Sequence, residues 1–237
     1  MKFRQTDVLY EYCFHVFTFI VFMASINLRF GWSLFHGQVS SFIKAKRTSI
    51  CGFQSVRRSY SPSRMFASTR NNSEKTNDYT IECDSAEEMV VLGMAVSDFL
   101  DTGDLILLRG DLGAGKTTFA RGIVQSKMDD YNMVVTSPSY LLDNSYEYAA
   151  GKTIHHIDLY RLPSGCDMTI LGFPSIFSTS ICIIEWPQRL SQSLLPDSYL
   201  NVDISIISQD TRKVELKPTG NKWINKMKEF AIAVNEI

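Results

Sequence analysis

The stretch LILLRGDLGAGKTTFARGIV, from Leu105 to Val124, joins an apolar run, a glycine-rich turn and a helical pattern. The apolar run has the length and composition of a short buried strand. The turn matches the motif G-x-x-x-x-G-K-[ST] through Gly110, Gly115, Lys116 and Thr117. Because a strand precedes the motif and a helix follows it, the stretch predicts a phosphate-binding loop.

Each residue type in this loop has a chemical reason. Backbone N–H groups converge on phosphate oxygens only where side chains do not intrude, which explains the glycines. Lys116 places a cation near the β- and γ-phosphates, and the Thr117 hydroxyl can bind the magnesium ion that bridges them. We therefore expect a nucleoside triphosphate, held by Asp111, Leu112, Gly113, Ala114, Gly115, Lys116, Thr117 and Thr118.

Two acids qualify as partners of the loop. A metal bound to Thr117 needs a further acid at the carboxyl end of a buried strand. Asp158 follows TIHHI and Glu185 follows ICII, so each stands at such a strand end. The segment VTSPSY, from Val135 to Tyr140, is either a loop that senses the γ-phosphate or a plain turn fixed by Pro138.

The remaining pattern alternates strands and helices and predicts an α/β fold. We expect a P-loop NTPase-like three-layer sandwich, with a mostly parallel central sheet and helices on both faces. Helices are expected after a cap at Asp84 or Ser85, at 116–128 and at 221–234. Strands are expected at 104–109, around 133–135, at 153–157 after a hairpin turn near 148–152, at 181–184, and as a pair near 202–206 and 214–216.

Charge divides the chain near residue 73. Of 24 basic and 25 acidic residues, the first 73 residues hold ten and two, which leaves a net charge near −9 beyond them. We therefore expect an N-terminal extension over 1–73 and an ATPase domain over 74–237. The extension has an apolar stretch from Tyr12 to Leu28, then a Ser- and Arg-rich segment without acids.

This order is typical of a bipartite signal that directs a protein to a plastid, with a mitochondrial presequence as the simpler alternative. Removal of the extension would leave an organellar domain without stable membrane association. An untargeted disordered tail, which would leave a cytoplasmic protein, and a single membrane anchor are the other readings.

The cysteines and histidines give no metal pattern. The five cysteines are widely spaced, without C-x-x-C, and fit neither a disulfide framework nor a zinc site. His155 and His156 lack cysteine or histidine partners at ligand spacing, so we expect satisfied polar residues at the edge of a strand.

Five short motifs then occur in one order along the chain. They are GDLGAGKTTFARG around Asp111, SPSY at Ser137, HIDLYRL from His156 to Leu162, IEWPQRL from Ile184 to Leu190, and LP at Leu195. In this order they resemble the TsaE (YjeE) family, the ATPase of bacterial-type tRNA threonylcarbamoyladenosine synthesis. The resemblance spans about Tyr79 to Ser205. Ser139 stands where that family usually has threonine, and CDMTIL before Gly172 replaces its usual acidic, leucine-rich stretch.

The resemblance implies the roles of the site residues. Lys116 and Thr117 would serve phosphate and magnesium, Glu185 would bind magnesium, and Asp158 would take part in the hydrolysis of ATP. Arg161 and Trp186 lie in the same motifs without an assigned role. The resemblance thus implies two pairs: a catalytic pair, Lys116 and Asp158, and a metal-binding pair, Thr117 and Glu185.

The resemblance also implies an accessory enzyme. Such a protein hydrolyses ATP weakly alone and acts with TsaB and TsaD, whose complex modifies the tRNA. A domain with a net charge near −9 is poorly suited to grip tRNA phosphates, so contact with tRNA would be indirect.

A phosphate-binding loop also occurs in proteins of three other functional classes. A small-molecule kinase would need an arginine-bearing lid, and no Arg-rich segment lies between Arg121 and Arg161. A GTPase is disfavoured because NKWI at Asn221 is not N-K-x-D. A nucleotide-gated adaptor that binds ATP without useful hydrolysis remains as the alternative from another functional class.

Overall fold

The computed structural model describes residues 70–71, 78–163 and 168–235. The predicted boundary between 1–73 and 74–237 lies outside these residues. So does the segment up to residue 69, on which the targeting hypothesis depends.

Within the described residues, eight strands form one mixed sheet in the order β1-β2-β8-β7-β3-β6-β5-β4. They are β1 (Arg70–Asn71), β2 (Tyr79–Cys83), β3 (Leu105–Arg109), β4 (Asp143–Ala149), β5 (Lys152–Asp158), β6 (Ile181–Glu185), β7 (Tyr199–Ile206) and β8 (Arg212–Thr219). The central strands β7, β3, β6 and β5 run parallel, while the outer strands pair antiparallel. The predicted parallel centre is confirmed, and the carboxyl ends of β3, β5 and β6 meet at one edge of the sheet.

The described residues form helices α1 (Ala86–Ser97), α2 (Lys116–Met128), α3 (Ile176–Thr179) and α4 (Gly220–Asn235). A reciprocal cap starts α1, because Ser85 Oγ accepts the Glu88 N–H at 3.1 Å and Glu88 Oε2 accepts the Asp84 N–H at 2.7 Å. Of the two predicted caps, Asp84 or Ser85, the N-cap is Ser85. Asn221, the start of the NKWI segment, lies in α4, and its Trp223 is buried in the core.

Two glycines let α1 and α2 pack closely. A Cβ atom on Gly93 would run into the carbonyl oxygen of Phe119, and one on Gly122 would run into that of Val90. The contact therefore brings the two helix backbones together at positions that only glycine fits without movement. It fixes α2, whose first turn carries the predicted phosphate site.

The sheet has a different cover on each face. On one face, Ile106, Leu108 and Ile183 belong to a core with α1, α2 and α4, whose largest members include Phe119 and Trp223. On the other face, alternate residues of the same strands pack against short segments, including α3 and the 3-10 turn Met168–Leu171. The three-layer α/β prediction is confirmed, with a third layer built from short helical turns.

The strand predicted around Met133 to Val135 is wrong. Met133 packs against the core and Val135 is 1% exposed, as a strand would require. Their carbonyl oxygens, however, accept from side chains of α2: Gln125 Nε2 at 2.9 Å and Arg121 Nε at 3.3 Å. The backbone therefore obtains hydrogen bonds without a neighbouring strand. The hairpin turn predicted near 148–152 is present between β4 and β5.

Cys83 and Cys182 are buried free thiols, and burial raises the pKa of each to about 12. Cys13, Cys51 and Cys166 lie outside the described residues. In the part of the chain that the structure describes, no helix has the length and apolarity to cross a bilayer.

Candidate functional site

The glycine-rich turn links β3 to α2 at the carboxyl edge of the sheet. Gly110, Gly113 and Gly115 all have positive φ angles, of 146°, 75° and 107°, which explains why these positions are glycines. The N-terminus of α2 has no side-chain cap, so its first N–H groups are left for a ligand. All eight residues predicted to hold nucleotide, 111–118, lie in this turn or in the first turn of α2.

Lys116 is drawn back toward the turn that precedes it. Its Nζ donates to the carbonyl oxygens of Gly110 and Asp111, both at 2.8 Å, and lies 4.1 Å from the centre of the Trp186 ring. The residue is 5% exposed, and burial lowers the pKa of its ammonium group while nearby carboxylates act in the opposite direction. The cation is therefore partly dehydrated, which strengthens its attraction for a phosphate anion.

Thr117 and Glu185 meet across two elements. Thr117 Oγ1 donates to Glu185 Oε1 at 2.8 Å, which joins the first turn of α2 to the last residue of β6. The Glu185 side chain is 4% exposed. Period-two alternation explains its direction, because Ile181 and Ile183 of the same strand also face the core beside α2.

Asp158 ends β5 and holds a different partner. Its Oδ2 accepts from Ser137 Oγ at 2.7 Å, and its Oδ1 accepts from the backbone N–H of Tyr160 at 2.9 Å. The strand register places Asp158 opposite Glu185. The two predicted acids thus lie side by side, but Asp158 is tied to the VTSPSY segment and Glu185 to the phosphate loop.

A cleft of about 510 Å³ opens beside this pair. Its walls are the first three turns of α2 and the segment 133–137, including Thr117, Arg121 and Ser137. Outside the cleft lining, Arg161 lies 4.4 Å from the centre of the Tyr140 ring, and the Tyr160 and Trp186 rings are tilted against each other with centres 4.8 Å apart. Trp186 therefore borders the site through Lys116, while Arg161 contacts Tyr140 at the end of the VTSPSY segment.

One buried residue of the site was not predicted from the sequence. His156 is fully buried, and its Nε2 lies 2.9 Å from Glu185 Oε1. The expectation of a satisfied residue at a strand edge is wrong for His156, since it lies within β5 and its Nδ1 has no hydrogen-bond partner among the described residues. Its position two residues before Asp158 was the available signal, because it puts both side chains on one face of the strand.

The donor set fits magnesium. Mg²⁺ prefers oxygen ligands and is usually bound through one or two carboxylates together with substrate phosphates and water. Thr117 and Glu185 supply a hydroxyl and a carboxylate beside the phosphate loop, in keeping with that pattern. Within the described residues no three His, Cys, Asp or Glu side chains form a metal cluster, which a magnesium site completed by phosphate does not need.

Comparison with known proteins agrees with the geometry. The family model of TsaE, the threonylcarbamoyl adenosine biosynthesis protein, matches residues 83–214, more than half of the chain. The chain belongs to the TsaE family. The matched residues run from the end of β2 into β8 and include the phosphate loop, Asp158 and Glu185.

Individual relatives support this membership. The chain is 40% identical over 128 residues to the tRNA threonylcarbamoyladenosine biosynthesis protein TsaE of Haemophilus influenzae, covering 54% of this chain and 78% of that protein. It is 28% identical over 138 residues to the Bacillus subtilis TsaE, covering 58% and 84%. The crystal structure of Bacillus subtilis YdiB superposes with a TM-score of 0.55 at 24% identity, over 68% of this chain and 99% of that one, and shows the shared fold.

Proposed function

We propose that this TsaE-family chain binds ATP with magnesium and hydrolyses it, weakly alone and faster with a TsaD/TsaB-type complex, in tRNA N6-threonylcarbamoyladenosine synthesis. The observation that carries the proposal is the 2.8 Å contact between Thr117 Oγ1 and Glu185 Oε1 beside the phosphate loop. It joins a hydroxyl and a buried carboxylate at the point where a phosphate-bound cation would lie.

Each residue has a separate task in this proposal. Residues 111–118 supply N–H groups and the Lys116 ammonium to the phosphates. Thr117 and Glu185 hold the magnesium ion, which when bound neutralises charge on the β- and γ-phosphates. Asp158 is a buried carboxylate at the end of β5 and accepts hydrogen bonds, so it is suited to orient the attacking water.

The net charge of the domain supports a protein partner. A domain with a net charge near −9 repels tRNA phosphates, so we infer that the chain acts on a protein complex and reaches tRNA only indirectly. The extension over 1–73 would direct the domain 74–237 to a plastid or mitochondrion and then be removed.

Paired variants test the proposed roles. Glu185→Gln should raise the magnesium concentration needed for ATP binding, because one charged ligand is lost. Asp158→Asn should leave ATP affinity nearly unchanged and lower turnover by about 100-fold or more. Asp143→Asn is the matched control, since Asp143 pairs with His155 on β4 and β5.

ATP affinity and phosphate release are measured across a magnesium titration, with and without the TsaD/TsaB-type complex. If excess magnesium rescues neither variant, or if Asp158→Asn turns over normally, the roles are wrongly assigned. A wild-type chain that binds ATP but releases no phosphate with the complex would instead be the nucleotide-gated adaptor.

A further inference from the structure

His156 lies on the same face of the sheet as Glu185. The register pairs His156 with Ile183 and Asp158 with Glu185, so His156 and Glu185 are diagonal neighbours on adjacent parallel strands. Ile154 of β5 and Ile183 of β6 belong to the core beside α2, which places this face against the helix that carries Thr117. The histidine ring reaches Glu185 from within the core.

The contact with Glu185 shows which nitrogen of the His156 ring carries the hydrogen. An ionised carboxylate can only accept hydrogen bonds, so the 2.9 Å contact requires the hydrogen on Nε2. In the neutral ring Nδ1 is then a bare acceptor, and it has no partner among the described residues. If the hydrogen were on Nδ1 instead, that buried donor would have no acceptor, and the lone pair of Nε2 would face a carboxylate oxygen. This tautomer is therefore less favourable than the one with hydrogen on Nε2.

Simple core packing does not account for a histidine here. An unpaired buried polar atom carries a desolvation penalty that an aliphatic side chain of similar volume would avoid. The compensating contact is the hydrogen bond to Glu185, whose Oε1 also accepts from Thr117. Two donors from two elements therefore converge on one carboxylate oxygen.

We propose that His156 is a positioning residue, whose Nε2–H fixes the Glu185 carboxylate against Thr117 so that both oxygen ligands are ready for magnesium. This inference rests on the proposed function, since it assumes a metal at Thr117 and Glu185. The histidine itself does not touch nucleotide or metal. Removal of such a supporting hydrogen bond typically lowers metal affinity by about 10- to 100-fold.

Two substitutions separate the hydrogen bond from packing. His156→Gln keeps an N–H donor near the position of Nε2, while His156→Leu removes it and keeps an apolar volume. His155→Gln is the matched control, because His155 contacts Asp143 on β4, 2.7 Å away, and not Glu185. Thermal unfolding establishes that each variant is folded.

The readout is affinity of the full chain for a non-hydrolysable ATP analogue, titrated with magnesium and with EDTA. We expect the gain in affinity due to magnesium to fall about tenfold or more in His156→Leu. The gain should persist in His156→Gln and in the control, and affinity in EDTA should be equal in all four proteins. A folded His156→Leu that keeps the full magnesium gain, or that loses affinity equally in EDTA, overturns the inference.

A second measurement uses the wild-type chain and does not depend on a variant that folds. Nitrogen-15 NMR of the His156 ring distinguishes hydrogen on Nε2 from hydrogen on Nδ1. Hydrogen on Nε2 is expected, and hydrogen on Nδ1 alone overturns the inference, because Nε2 could not then donate to Glu185. If wild-type affinity shows no magnesium gain at all, the proposed function itself fails.

Discussion

Lys116 and Trp186 form a contact that a bound nucleotide would disturb. The ammonium lies 4.1 Å from the ring centre and also donates to two carbonyl oxygens of the phosphate loop. A phosphate anion would compete with all three for the same cation. We therefore predict that ATP changes the fluorescence of Trp186, as measured by a titration of tryptophan emission.

Single-tryptophan replacements assign that signal. Trp186→Phe should abolish the ATP-dependent change, while Trp223→Phe should keep it, because Trp223 lies in α4 and is buried in the core. A full signal in Trp186→Phe would contradict the contact. Trp32 is outside the described residues and is present in both variants.

Single residues of the site differ in how far the sequence predicts them. The phosphate loop is predicted by the spacing of its glycines, lysine and threonine together with the strand before it and the helix after it. Asp158 and Glu185 were placed at strand ends by the apolar runs before them. The partnership of His156 with Glu185 depends on β5 lying next to β6, and a single sequence does not state which strands pair.

Among the elements, α1 and α2 depend on their glycine contact. Gly122→Ala should lower the free energy of unfolding by about 1–3 kcal/mol, because the added methyl group meets the carbonyl oxygen of Val90. Helix propensity favours alanine by about 1 kcal/mol, so the prediction opposes propensity. Glu87→Ala, exposed on α1, is the control and should change stability by no more than about 0.5 kcal/mol. A more stable Gly122→Ala, measured by denaturant unfolding, would contradict the packing.

A buried ion pair fixes α4 to the start of β3. Asp104 is fully buried, with Lys226 Nζ 2.6 Å from its Oδ2 and Lys222 Nζ 2.8 Å from its Oδ1. Lys226→Met should cost about 3 kcal/mol of unfolding free energy, because its side chain is only 15% exposed and Asp104 would lose its better-buried partner. Lys222→Met should cost no more than about 1 kcal/mol, because its side chain is 44% exposed. Equal losses in denaturant unfolding would contradict this ranking.

The elements were largely predictable where periodicity is strong. The buried strands β3 and β6 follow from their apolar runs, and helix α2 follows from the glycine-rich loop after β3. The segment around Met133 and Val135 was misassigned, because apolar spacing reports burial and not strand pairing. Gln125 and Arg121 of α2 replace the missing strand neighbour, and such side-chain hydrogen bonds leave no periodic signal.

At the scale of the whole molecule, the basic first 73 residues contrast with an acidic remainder. We predict that residues 1–73, fused to a fluorescent reporter, carry it into an organelle of a plastid-bearing cell, because the segment is Arg- and Ser-rich and poor in acids. Confocal imaging against plastid and mitochondrial markers distinguishes the two destinations. A reporter fused to residues 74–237 is the control, and a diffuse cytosolic signal from the 1–73 fusion would contradict the prediction.

The central claim is that the loop over 110–118 binds ATP through Lys116, and calorimetric titration of the full chain with ATP and magnesium tests it most directly. The wild-type chain should show saturable binding. Lys116→Ala should lose about tenfold or more in affinity, because a charged hydrogen bond to phosphate is worth about 1.5–3 kcal/mol. Absence of binding in the folded wild-type chain, or equal affinity in Lys116→Ala, would contradict the account.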